Sequence, residues 1–284
     1  MSNEELTLLK EILSLPTYTG REQLVVDYLI SYALKKDYKV LLDDYDNVYL
    51  TKGEVNEYEY YPCFVAHTDT VHMDQASLIT ENKRKVIHHT LDGEGNNILY
   101  ATHPDSGTQI GIGGDDLAGV YLALRMMDNY EVAKGAFFVS EENGCNGSKY
   151  ADENFFSNVG YAIQFDSPTD NRISHTLMGL RLYSKEFQLI AEDVLRDYYE
   201  GQWRYMHDPY TDVWQLKQKF DFCCYNLPAG YYNYHTNSEY VILETIDTSE
   251  EIACRLVDAL GNDHYYYEGD KDNYTDTHQN LLLS

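Results

Sequence analysis

The chain has 284 residues, 43% of them hydrophobic, enough to bury a sizeable core and too apolar for wholesale disorder. Its formal charge of −26 opposes binding to nucleic acid or an anionic membrane, and no apolar run approaches the ~20 residues that span a bilayer. The five cysteines show no CxxC spacing, and the N-terminus carries acids where a leader would carry bases, so reduced thiols and a cytoplasmic protein are expected.

Leu6, Leu9, Ile12 and Leu13 fall at helical spacing within residues 4–14, and Pro16 ends that run. A second amphipathic helix is expected over about 22–33. Strands are predicted at 38–42 and 48–51, separated by the turn-prone Asp43-Asp44-Tyr45-Asp46-Asn47. Residues 63–66 (Cys-Phe-Val-Ala) form a continuous apolar run, as in a strand buried on both faces. Residues 78–101 read as a hairpin excursion with 92–95 as its loop. Helical spacing returns at 117–127, and buried strands are predicted at 136–139 and 160–165. Helices follow at 184–200 and 211–219, strands at 222–226 and 240–243, and a last helix at 248–261 with Thr248 or Ser249 as its cap.

Strands alternating with helices predict an α/β fold: a single globular domain over 1–262, with a mostly parallel mixed sheet flanked by helices. Residues 263–284 are polar and aperiodic and read as a loose C-terminal tail. The 28 tyrosines suggest packing and surface stacking and nothing more specific.

Polar residues gather where the buried strands end, which in open α/β sheets is where ligands sit. The run 63–66 leads into His67-Thr68-Asp69, 136–139 into Ser140-Glu141-Glu142, and 160–165 into Asp166. A glycine-rich loop, Gly111-Ile112-Gly113-Gly114, delivers Asp115 and Asp116 to a helix start, and Tyr231–Tyr234 deliver His235. Each element has a plainer reading alone. His-x-Asp can be a surface hydrogen bond, Asp-Asp a helix cap, Glu-Glu exposed charge, Asp166 a turn residue and His235 a packed histidine. Together they point elsewhere, because so many acids on one sheet edge repel unless cations neutralise them. Imidazoles with carboxylates suit zinc, with manganese or cobalt as alternatives, and a pair of ions needs a shared carboxylate.

The segments HTD (67–69), GGDDLAG (113–119), SEENGCNGS (140–148), QFDSP (164–168) and YYNYHTNSEYV (231–241) resemble, in order and context, the co-catalytic zinc exopeptidase superfamily. That superfamily includes peptidase T, carboxypeptidase G and the glutamyl or deblocking aminopeptidases. The resemblance covers most of 4–260 and is weakest at 75–105 and 170–225. It implies two divalent metal ions, with Asp115 bridging them, His67 and Asp166 completing one site, and Glu142 and His235 the other. It further implies Glu141 as the general base acting on a bridging water, and Asp69 as the partner that orients the His67 ring.

Two departures stand out. Leu117 occupies the place of a lysine frequent in the family, and only 68 residues separate Asp166 from His235, too few for the lid or dimerisation domain that relatives insert there. The expected activity is that of a dinuclear metallo-aminopeptidase, an exopeptidase hydrolysing short peptides or aminoacyl substrates. Removal of acyl groups from N-acyl amino acids is the alternative, and a catalytically dead binding module a third reading. Among residues left over, Asp116 and Asp212 are candidates to meet a substrate ammonium. Arg172, Arg181, Arg196 and Arg204 are expected in solvent, as is the His88-His89 pair, and Cys145 as a packed thiol.

Overall fold

The computed structural model describes residues 1–208 and 211–267. Helices α1 (Asn3–Leu13) and α2 (Gln23–Lys35) precede strands β1 (Lys39–Leu42), β2 (Val48–Lys52) and β3 (Tyr61–His67). Helix α1 begins at a capping box, in which Ser2 Oγ accepts the Glu5 amide and the Ser2 amide donates to the Glu5 carboxylate. It buries Leu9, Ile12 and Leu13, the stripe that the spacing predicts. The short α3 (Ala76–Thr80) leads to β4 (Val86–Leu91), β5 (Asn97–Thr102) and β6 (Gln109–Ile110), then α4 (Gly114–Asn129). Next come β7 (Ala133–Phe138), α5 (Asn146–Lys149), α6 (Glu153–Phe156), β8 (Val159–Ser167), β9 (Arg172–Leu177) and β10 (Leu180–Arg181). The chain continues through α7 (Lys185–Tyr199), β11 (Arg204–Asp208), α8 (Asp212–Lys219), β12 (Cys223–Pro228), β13 (Tyr231–Tyr232), β14 (Tyr240–Ile242) and α9 (Leu243–Leu260).

The main sheet has nine strands, in the order β1-β2-β7-β3-β8-β12-β9-β10, with β11 on β9. Its central strands β7, β3, β8 and β12 run parallel. Antiparallel β2 and β1 extend one side, and β9 with β10 the other. Every residue of β3, β7 and β12 is buried, as expected of parallel strands covered on both faces. Helices α1, α4, α9 and α7 contact one another in sequence, with α4 on β3 and β8, while α8 packs with α5 against the same strands. The fold is thus one α/β unit around a mixed sheet, and the parallel centre points four carboxyl ends at one edge.

Several elements differ from the sequence reading. The hairpin within 78–101 is β4–β5, but β6, β14 and β13 join it to make a second, five-stranded antiparallel sheet. The last helix starts at Leu243, so neither Thr248 nor Ser249 caps it, and Thr248 Oγ1 instead donates to the Glu244 carbonyl inside the helix. Leu243 and Ile246 already belong to the buried face, and the small, buried Ser249 hides the apolar period there. Part of the expected tail is docked. The Tyr265 amide donates to the Gly160 carbonyl, the Cys223 amide donates to the Tyr265 carbonyl, and the Tyr265 ring meets Tyr161 and Phe187. The rest of that segment, 268–284, lies outside the described residues.

Tyr49, Tyr61, Tyr121, Tyr161, Tyr183 and Tyr225 are fully buried, so a share of the unusual tyrosine content is core. All five cysteines are free thiols. No described helix is long and apolar enough to cross a membrane.

Candidate active site

His67 is the last residue of β3, Asp166 lies near the end of β8, and Glu141 and Glu142 follow β7. Asp115 opens α4, and His235 sits on the turn between β13 and β14. These residues come together. Asp115 Oδ1 lies 3.1 Å from His67 Nε2, and Asp115 Oδ2 lies 3.2 Å from His235 Nε2. His67 Nε2 is also 3.6 Å from Asp166 Oδ1 and 4.0 Å from Glu141 Oε2, and His235 Nε2 is 3.0 Å from Glu142 Oε1.

The supports of each group are local. The Nδ1 atom of His67 bonds the Asp69 carbonyl at 3.1 Å, which makes it the protonated nitrogen and turns Nε2 toward the acids. The Asp69 carboxylate, 3.4 Å from Nδ1, accepts the amides of Glu141 and Glu142 at 2.9 and 3.2 Å and the Thr19 hydroxyl at 2.7 Å. Asp69 thus serves the neighbouring loop more directly than the ring. Asp166 accepts the Thr211 hydroxyl at 2.5 Å and the Tyr231 hydroxyl at 3.1 Å. The Asp115-Asp116 peptide is cis. Gly113 sits at φ +73°, a conformation that glycine adopts without strain. A Cβ on Gly111 would lie 2.0 Å from the His72 ring.

The electrostatics are those of crowded, buried acids. Burial raises the pKa of Glu141 well above the carboxylate range, and burial with Asp115 raises that of Asp166. Burial opposes ionisation of Asp115 too, but hydrogen bonds from His235 and His67 outweigh it and lower its pKa. Hydrogen bonds to Asp115 and Glu142 push His235 up to about 11. Burial disfavours a charged His67, yet Asp166, Asp115 and Asp69 raise its pKa well above the ordinary value.

Donor atoms of His67, Asp115 and Glu142 lie within 4.8 Å of one another, as do those of His67, Asp116 and Asp166. Imidazole and carboxylate donors at that spacing, with Asp115 facing two rings by different oxygens, fit a pair of divalent cations. Asp115, Glu141, Glu142 and Asp166 line a cavity of about 320 Å³. Its other walls include Arg172, Ser174, Leu177, Asn226, Tyr231 and Tyr234.

Expectations change at five residues. Arg172 is half-buried on the cavity wall, not in solvent, because β9 carries it to the edge of the site. Arg181 is also half-buried, donating to Gln188, whereas Arg196 and Arg204 are exposed. Asp116 cannot meet a substrate, since it is fully buried and accepts the amides of His67 and Gly119. Asp212 is equally buried, held at α8 behind Thr211, and burial raises its pKa to about 7. His88 is half-buried, stacked on Tyr100. Cys145 is a packed thiol whose Sγ donates to Glu141 Oε1 at 3.4 Å.

The sequence reading also passed over residues that hold the Gly-rich loop: His72, Gln75, Lys85 and Glu239. The only signal available was Glu239 within the HTNSEYV segment.

No protein-family model and no curated protein matches the sequence. Solved structures do match. The aminopeptidase PepT from Bacillus cereus superposes with a TM-score of 0.66 at 14% identity, covering 90% of this chain and 98% of its own. A tripeptidase from Staphylococcus aureus gives 0.67 at 12% identity, with 90% and 98% covered. The chain has the fold of these two peptidases. A protein described as an endoglucanase, from Thermotoga maritima, shares that fold with a TM-score of 0.58 at 12% identity, covering 89% of this chain and 99% of its own. Chains of this fold thus carry different descriptions, and the fold alone does not give the activity.

Proposed function

We propose that the chain is a dinuclear metal-dependent exopeptidase acting as an aminopeptidase on short peptides, with residues 1–262 as its catalytic unit. The observation that carries this reading is Asp115, whose two carboxylate oxygens face His67 and His235 separately. In this reading Asp115 bridges two ions, His67 and Asp166 hold one, and Glu142 and His235 hold the other. Zinc suits the donors, as do manganese and cobalt. Bound ions would acidify water and polarise the scissile carbonyl.

The protein's own groups do the rest. Glu141 takes the proton of the attacking water as the C–O bond forms, then returns it to the amine as the C–N bond breaks. Its buried position raises its proton affinity, which suits a group that must hold the proton between the two steps. Asp69 holds the Glu141 and Glu142 amides and so fixes base and ligand relative to His67.

The crowded acids of the cavity attract a substrate ammonium and repel a carboxylate, which favours a short peptide with a free amino terminus. Hydrolysis of N-acyl amino acids is the second reading. The free thiols accord with action in the cytoplasm.

The test is hydrolysis of a panel of free and N-acetylated di- and tripeptides by the purified protein. Activity should be abolished by chelation and restored by zinc, manganese or cobalt. Activity that survives complete chelation would remove the metal from the account.

A further inference from the structure

The Gly-rich loop that carries Asp115 is held by buried side chains along its whole length. Gln75 Nε2 donates to the Gly111 carbonyl at 2.8 Å, and Lys85 Nζ donates to the Ile112 carbonyl at 2.6 Å. The Glu239 carboxylate accepts the Gly113 amide on Oε2 at 2.8 Å and the Asp115 amide on Oε1 at 3.0 Å. It also accepts the His72 ring, whose Nε2 lies 2.8 Å from Oε2. Glu239 has no exposed surface, and Gln75, Lys85 and His72 are buried with it.

A fully buried carboxylate is costly unless its lone pairs are used, and here three N–H groups from two segments use them. Those segments are the ones that matter for the candidate site. His72 lies five residues after His67, and the amide of Asp115 belongs to the bridging candidate itself. Glu239 is carried on the same β13–β14 turn as His235.

We infer that Glu239 is a positioning residue that ties the His235 turn to the Asp115 backbone and so fixes the spacing of the two groups before any ion arrives. This rests on the dinuclear reading given above. A glutamine keeps the shape but offers one acceptor where two amides need one each, and it turns an N–H toward an N–H. The carboxylate, and not merely bulk, is what the loop requires.

Zinc titration of metal-stripped wild type and Glu239→Gln, followed calorimetrically, tests this. The variant should bind its weaker ion at least ~10-fold less tightly, in the range seen when groups that orient metal ligands are changed. Wild-type affinity for both ions in the variant would overturn the inference. If Glu239→Gln does not fold, amide hydrogen exchange on wild-type protein decides the matter. Gly113 and Asp115 should exchange as slowly without zinc as with it, because Glu239 and not the metal holds them. Fast exchange that zinc alone suppresses would contradict the proposal. A wild-type protein that binds no metal at all would instead refute the dinuclear reading, so the two failures are distinct.

Discussion

Asp69 Oδ1 accepts the amide hydrogen of Glu141 at 2.9 Å, joining the loop after β3 to the loop after β7. Its other oxygen accepts the Glu142 amide and the Thr19 hydroxyl. Asp69→Asn leaves one acceptor for this set, so the Glu141 carboxyl should drift from its place. We expect kcat to fall at least ~10-fold, with metal content close to wild type. Turnover and bound metal, measured on the same preparation, check this. An unchanged kcat would mean the contact is structural only.

Glu141 and Glu142 are adjacent in sequence but differ in their partners. Glu142 meets His235 at 3.0 Å, whereas Glu141 stands 4.0 Å from His67 and meets Cys145. Glu141→Gln should keep both ions and lose at least ~10²-fold in turnover, the scale of a missing general base. Glu142→Gln should lose metal. If the two variants behave alike, the roles of the pair are assigned wrongly.

The substrate's ends can be read separately. A peptide with a free amino terminus should be cleaved faster than its acetylated twin, and high salt should narrow the gap. Faster cleavage of the acetylated peptide would favour the N-acyl amino acid reading.

Lys134, in β7, is buried, with Nζ donating to the Phe155 carbonyl and Asn158 Oδ1. Burial lowers its pKa to about 8 from 10.5. Between those values the unfolded chain binds more protons than the folded one, so this group makes stability rise with pH across that window. Thermal melts should show wild type gaining Tm relative to Lys134→Met as pH goes from about 8 to about 10. A difference that stays flat or shrinks would contradict the burial argument.

The site's outline was legible because parallel strands end at one edge, so acids and histidines placed just after apolar runs must meet there. His67, Glu141, Glu142 and Asp166 have that placement in the sequence, and the structure brings them together. What was not legible depends on distant partners. Glu239 reaches amides of residues far back in the chain, and a backbone amide leaves no mark on a sequence. Asp69 lies 3.4 Å from the His67 ring, where the resemblance implies it, but its further bonds to the Glu141 and Glu142 amides are invisible in the sequence for the same reason. The place of Arg172 was not legible because β9, which pairs with β10, β11 and β12, has mixed polarity and no continuous apolar run.

If Asp115 bridges two metal ions, the number of ions held per chain depends on it. Metal-stripped protein is saturated with zinc, desalted and analysed for ions per chain, alongside Asp115→Ala and His67→Ala. Wild type should hold about two ions, Asp115→Ala should lose both, and His67→Ala should lose mainly one. Asp115→Ala that still retains both ions would contradict the bridge.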